Sequence, residues 1–264
     1  MDLTHFAIEH AIATMWDRYD EALSLGDIAD SAIIGGPLFS RTFRSMTGTS
    51  PGRFLSVIRL FKAKHLLLQT PLSVADVARS VGYTSPGAFA SRFTRSVGTS
   101  PGRYRFRSRA GRHALTGGRA PGHPNPAGEL TGAVLAPPGA APHRATRTYV
   151  GLFTSPVIQG VPVVCDVLDH PGPYRLCGVP PGTWYIRAAT VEMGALDRHP
   201  WARRPRLLGA ADGVTVHPDG RPVEQGIVLR TATVLDPPIL LALPELDNFG
   251  TPDPRRQVVI TLAT

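Results

Sequence analysis

Residues 31–109 of this chain hold thirteen lysines and arginines against a single acid, Asp76, a net of +12. Residues 110–264 hold fourteen bases and twelve acids, a net of +2, and the whole chain carries +8. Cationic groups gathered in this way do one kind of chemistry: they neutralise phosphates and release the counterions condensed on them. The expected partner is a polyanion, met by the first part of the chain only. A solvated basic face with no partner is the competing reading. Bond-making groups occur without the arrangement that catalysis needs. His170, His199 and His217 lie in proline-rich turns with no HExxH spacing, and read as exposed loop residues. Cys165 and Cys177 are the only cysteines. They lack a second pair for zinc and a CxxC for redox work. They read as two small buried hydrophobes; their spacing also allows a disulfide, which a reducing compartment disfavours. No enzyme activity, metal or cofactor is expected.

The elements that would position the basic groups are written twice. GTSPGRF at 48–54 returns as GTSPGRY at 98–104, Phe39 and Phe43 return as Phe89 and Phe93, and DIADSA returns as DVARSV at an offset of forty-nine. Ser24 with Asp27, and Ser73 with Asp76, have the spacing of capping boxes with Asp in place of Glu. Ser50-Pro51 and Ser100-Pro101 place a cap residue before a proline at the first helical position. Gly48 and Gly98 suit the left-handed stop of the preceding helix. Each unit is therefore a short capped helix, a turn, and a second helix with two inward Phe, a helix-turn-helix. Residues 51–69 between the copies read as one largely buried helix, apolar on more than one side. Such a rod is about 28 Å long, close to the roughly 34 Å between successive major grooves on one side of a duplex. Ahead of the first unit, Ile8, Ile12, Met15 and Tyr19 form a helical stripe.

Residues 5–107 resemble the DNA-binding domain of the AraC/XylS transcription regulators, above all in SVADVARSVGYTSPGAFASRFTRSVGTSPGRYR at 73–105. The resemblance implies that the helices at about 36–46 and 86–96 enter successive major grooves. It implies base contacts from Leu38, Ser40 and Arg41 in the first, and from Gly87, Ala88, Ser91 and Arg92 in the second, with Arg44, Arg95 and Arg103 on phosphates. Small and apolar residues dominate the reading positions, so part of the specificity is expected from DNA shape. In that family an arginine usually stands two places before the inward Phe of the second recognition helix. The first unit here has Arg41 before Phe43; the second has Ser91 before Phe93, with Arg92 one place along. The run AIIGGPLF departs from the family's usual length and polarity. The implied partners are double-stranded DNA and RNA polymerase.

Residues 110–144 are dense in Gly and Pro and read as a flexible linker without helix or sheet. Beyond it lie TYVGLF, VPVVCDVL, PYRLCGV, TWYIRAATV, GVTVHP, EQGIVLRTATVL and QVVITLA, short alternating stretches between turn signals. They predict an antiparallel β-sandwich. GPYRLCGVPPGTWYIRAA at 172–189 resembles the carboxypeptidase-regulatory or transthyretin-like sandwich domains. DRHPWARRPRLL at 197–208, with Trp201, reads as a surface loop, or as a segment that covers an effector or touches DNA or a partner.

The expected fold is α plus β in two domains: an all-α double helix-turn-helix at 1–109, the linker at 110–144, and an all-β antiparallel sandwich at 145–264. The expected function is sequence-specific transcription regulation, with a small-molecule effector or partner at the sandwich. This order is the reverse of the one common in the resembled family. A nonspecific architectural DNA protein, and an enzyme or a carbohydrate or small-molecule binding module in the β-domain that the helices merely localise, are the alternatives. No apolar run is long enough to span a membrane. The acidic start, MDLTHFAIEHAIATMW, lacks the basic region of a secretory signal, so a cytoplasmic location is expected.

Overall fold

The computed structural model describes residues 3–33, 35–110, 128–139, 146–158, 160–193, 205–243 and 258–259, the backbone alone at 107–110 and 258–259. They form two units, Met1–Arg109 with Thr233–Leu240, and Ala110–Ala232 with Leu241–Thr264. Among the described residues no helix is long and apolar enough to cross a membrane.

The first unit is helical: α1 Leu3–Asp17, α2 Leu25–Ser31, α3 Gly36–Thr47, α4 Pro51–Gln69, α5 Val74–Ser80, α6 Pro86–Val97 and α7 Pro101–Ala110. Of the expected serine caps, those of α2 and α5 form, the first as a full capping box and the second through the serine side chain. Ser24 Oγ accepts from Asp27 N at 3.1 Å while Asp27 Oδ2 accepts from Ser24 N at 2.8 Å, the reciprocal box. Ser73 Oγ accepts from Asp76 N at 3.0 Å. Gly48 and Gly98 stop α3 and α6 with φ of 71° and 88°, a region that disfavours any residue with a Cβ. Ser50 stands at the α4 N-cap without a side-chain cap bond, so the fixed φ of Pro51 starts that helix. The α1 stripe buries Ile8, Ile12 and Met15; Tyr19 lies past the helix end and packs against the same cluster from the side.

The fifty-residue repeat becomes a repeated aromatic stack. Phe39 and Phe43 lie 5.6 Å apart, and Phe54 meets Phe43 edge-on at 5.5 Å. Phe89 and Phe93 repeat the 5.6 Å contact, and Tyr104 meets Phe93 edge-on at 5.7 Å. Each GTSPGR phrase thus hands its aromatic to the core of the helix just ended. All six rings are buried, and edge-to-face pairing contributes about 1 kcal/mol each beyond burial.

Thr233–Leu240 was expected in the β-domain but belongs to the helical unit. Asp236 closes a turn by accepting from Thr233 N at 2.8 Å, Leu235 packs against the cluster of α1 to α4, and the Leu240 carbonyl accepts from Lys64 Nζ at 3.1 Å. Nothing local distinguishes this short strap from the end of a strand; the distant apolar face that receives it decides.

The second unit holds β1 Gly128–Leu135, β2 Thr146–Phe153, β3 Val164–Leu168, β4 Pro173–Val179, β5 Gly182–Glu192, β6 Leu207–Val216, β7 Val223–Glu224, β8 Ile227–Thr231 and β9 Val258–Val259. Every predicted stretch contributes a strand, though the flanks of β9 lie outside the described residues. The architecture differs from the expected antiparallel sandwich. One hydrogen-bonded path runs β4-β1-β8-β6-β5-β2-β3-β9, with β7 on β1, and both β7 and β8 pair with β1 in parallel. Arg175 N on β4 donates to Asp166 Oδ2 on β3 at 3.0 Å, so the path curls back on itself as a near-barrel. β4 and β5 are joined through Pro180 and Pro181 yet pair with different neighbours, β1 on one side and β2 with β6 on the other. Leu130, Val150, Leu176, Ile186, Val216 and Leu229 lie in the enclosed core.

β1 lies inside the range expected to be a structureless linker. Its glycines serve close approach rather than freedom. A Cβ on Gly132 would stand 1.9 Å from the Gln225 carbonyl oxygen, and one on Gly128 would stand 2.5 Å from Val216 Cγ1. Composition averaged over a window cannot separate that use of glycine from a flexible one. The segments 111–127 and 140–145 of the expected linker lie outside the described residues.

Candidate nucleic-acid interface

α3 and α6 are the second helices of their pairs, and each turns two Phe inward and its other side to solvent. Leu38, Arg41 and Arg44 on α3 are exposed, and Ser40 is half-buried. Gly87, Ala88, Ser91, Arg92 and Arg95 on α6 are exposed, as is Arg103 in the first turn of α7. The sequence-derived reading residues thus share two helix faces. Ser85 caps α6 by accepting from Ala88 N at 3.2 Å, whereas the α3 N-cap is Gly35, with no side chain to offer.

The cations sort into two groups. Arg59 reaches from α4 to the turn after α1, donating from Nε to Tyr19 O and from Nη2 to Glu21 O, each at 2.7 Å. Burial lowers its basicity. Lys62 lies over the Tyr19 ring at 4.8 Å and the Trp16 ring at 5.5 Å. Lys64 is buried beneath the strap, its ammonium 5.8 Å from the Tyr104 ring, and burial pulls its pKa down from 10.5 to about 7. Arg105 donates to Leu67 O at 3.1 Å, and Arg79 pairs with Asp76 on its own helix. Four of these five cations are engaged with other elements of the fold, and the fifth, Arg79, is an exposed partner of its own helix's first turn. Arg41, Arg44, Arg53, Arg92, Arg95 and Arg103 remain on the exposed side. Arg53 joins them through the repeat: its position in GTSPGRF, the counterpart of Arg103 in GTSPGRY, is the signal that finds it.

Two details separate the copies. Arg92 Nη1 donates to Ser56 Oγ on α4 at 3.2 Å, and that hydroxyl lies 3.3 Å from the Tyr83 hydroxyl. Arg41 has no hydrogen-bond partner among the described residues. In the turn between the paired helices, Gly82 holds a φ of 79°, and a Cβ there would meet Asp20 O at 2.9 Å. The position equivalent in the first copy is Ile33, at φ 55° and exposed. A β-branched residue in the left-handed region is strained by about 1–2 kcal/mol. One part of the departure of AIIGGPLF is thus a substitution at a position where the second copy has glycine; the other is a turn one residue shorter, which is why the repeat offset changes from forty-nine to fifty across it.

The other candidates give no site. The letters of Gly48 to Gly52 and Gly98 to Gly102 spell the nucleophile-elbow pattern GxSxG, which needs a strand before the serine. A helix precedes each, so the chemistry does not follow. His170 and His217 are exposed, while His199 and Trp201 lie outside the described residues. Cys165 and Cys177 are free thiols; Cys165 is buried and its pKa pushed up to about 12, which leaves it unreactive.

A family model described as a helix-turn-helix domain matches residues 28–107. The chain is 30% identical over 105 residues to the lactose operon transcription activator of Staphylococcus xylosus, covering 40% of this chain and 38% of that protein. It is 36% identical over 98 residues to the HTH-type transcriptional activator RhaS of Escherichia fergusonii, covering 37% and 35%. The chain therefore spans well under half the length of these relatives. Among solved structures, the DNA-binding domain of the global transcriptional factor AdpA in complex with a target DNA is 33% identical, covering 40% of this chain and 96% of that one, with a TM-score of 0.39.

Proposed function

We propose that this chain is a sequence-specific DNA-binding transcription regulator of the AraC/XylS type, setting α3 and α6 into successive major grooves of one duplex. The observation that carries the reading is the sorting of cations. Those on α3, α6 and the first turns of α4 and α7 stay exposed, while Arg59, Lys62, Lys64 and Arg105 are drawn in against other elements of the unit. The 19-residue α4 is a rod about 28 Å long between the two reading helices, near the roughly 34 Å groove repeat. The helix-turn-helix match over residues 28–107 and the activator names of the relatives support the same reading. Base edges are met by Leu38, Ser40 and Arg41, and by Gly87, Ala88, Ser91 and Arg92. Phosphates are met by Arg44, Arg95 and Arg103, joined by Arg53 through the repeat.

The regulator works in the cytoplasm with RNA polymerase as its protein partner, and it performs no catalysis. The strand-rich unit, a near-barrel that keeps a local likeness to the transthyretin-like domains in one strand-turn-strand run, takes a small-molecule effector or a partner. Its GPYRLCGVPPGTWYIRAA run supports that likeness through the tight Pro180-Pro181 corner, where Trp184 Nε1 donates to Pro180 O at 2.9 Å.

The test is selection of genomic fragments by the full chain at stated salt, followed by footprinting. Two protected stretches about one helical turn apart are expected, with affinity at least about a thousandfold above random competitor. Equal affinity for selected and random DNA would mean an architectural protein instead.

A further inference from the structure

The two reading helices carry the same number of arginines at different azimuths. Successive residues of an α-helix are rotated by about 100°. On α3 the buried Phe39 and Phe43 define the inward direction, and Arg41 lies about 180° round from their mean, directly outward, with Arg44 beside it. On α6 the buried Phe89 and Phe93 define the same direction, and the residue directly outward is Ser91. The arginines of α6, Arg92 and Arg95, are displaced by one position, about 100° round the helix from the α3 pair. The displacement carries Arg92 to the flank that faces α4, where Ser56 accepts its Nη1 proton at 3.2 Å and is itself within 3.3 Å of the Tyr83 hydroxyl.

We infer that the two half-sites are read by different means: Arg41 reads a guanine under α3, while Arg92 is a backbone clamp and α6 reads its half-site through small side chains alone. A guanidinium pointing straight out of a helix can present its fork to guanine O6 and N7. One held against a neighbouring helix lies at the groove wall, where phosphates are. Gly87, Ala88 and Ser91 then form a low face that lets α6 sit deep in the groove. Such a face discriminates by contact with thymine methyl groups and by DNA shape. This inference deepens the proposed function and rests on it, and it moves Arg92 from the base-reading set to the phosphate set.

The experiment is in vitro selection of the full chain on a random duplex library, with affinities of the recovered sequences measured across a salt series. Arg41→Ala is expected to lose about tenfold or more in discrimination at one base pair of one half-site, with the other half-site unchanged. Arg41→Lys should keep the salt slope but lose the same discrimination, because a point charge cannot replace the fork. Arg92→Ala should weaken all sequences by one common factor and lower the salt slope by about 1. Base-specific loss in Arg92→Ala, or uniform loss in Arg41→Ala, overturns the inference and leaves the regulator reading standing. Recovery of no motif by the unaltered chain overturns both.

Discussion

Lys64→Met is expected to stabilise the helical unit and to abolish a rise of its stability with pH. Lys64 lies on α4, buried, with Leu240 O at 3.1 Å and the Tyr104 ring at 5.8 Å. Burial lowers its pKa from 10.5 to about 7. Below about pH 7 both the folded and the unfolded chain hold the proton, and the whole cost of burying a charge falls on folding. Between about 7 and 10.5 the unfolded chain holds the proton and the folded chain releases it, so unfolding takes one up and stability climbs with pH. The fall in pKa corresponds to about 5 kcal/mol against the charged form, of which about 2 kcal/mol is recovered between pH 7 and 9. The Leu240 carbonyl and the Tyr104 ring favour the charge and make both figures upper bounds. Methionine fills the same stem without the charge, but leaves Leu240 O without that donor, at a cost of about 1–3 kcal/mol. The net gain at pH 7 is therefore about 1–3 kcal/mol. Urea unfolding followed by helical circular dichroism and by amide exchange in α4 measures it. The series stops near pH 9 because the unfolded Cys165 thiol then ionises while burial holds the folded one protonated up to about 12, which reverses the slope in the strand unit. A slope that persists in Lys64→Met, or a loss of stability on substitution, refutes this account of the buried charge.

Three further outcomes are expected. Leu235→Ala should destabilise the helical unit by about 1–2 kcal/mol by stripping the strap from the α1 to α4 cluster; amide exchange should quicken in α1 and α4 and not in β5. Ile33→Gly should stabilise the same unit by up to about 1 kcal/mol, since it relieves a left-handed φ of 55° that Gly82 already meets in the second copy and loses part of that gain to the freer unfolded chain; a lower stability would mean that the isoleucine side chain holds the turn. Gly132→Ala should destabilise the strand unit by about 3 kcal/mol through collision with Gln225 O, with wild-type behaviour in thermal unfolding as the contrary result.

Motifs confined to a few neighbouring residues were readable in advance, because their physics is local. The serine caps of α2 and α5, the glycine stops at Gly48 and Gly98, and the inward Phe pairs all depend on groups within a turn or two of each other. A repeat at one fixed offset then carried the second aromatic stack along with the first, down to Phe54 and Tyr104. The candidate reading helices follow from those same signals, since the positions of the buried Phe settle which residues face out.

What depends on chain segments far apart was beyond such reading. Arg59, Lys62, Lys64 and Arg105 look like DNA-binding charge in the sequence. Only the approach of the turn after α1, of the strap and of α4 turns them into internal fastenings. Glycines in β1 look like linker until β6 and the segment after β7 arrive within contact distance of their missing Cβ atoms. Alternation announces strands but not their neighbours, so the parallel pairings of β1 and the closing of the sheet into a near-barrel came from packing. A side chain's charge and shape are properties of its type. Whether that charge is spent inside or offered outside is set by what the rest of the chain brings against it.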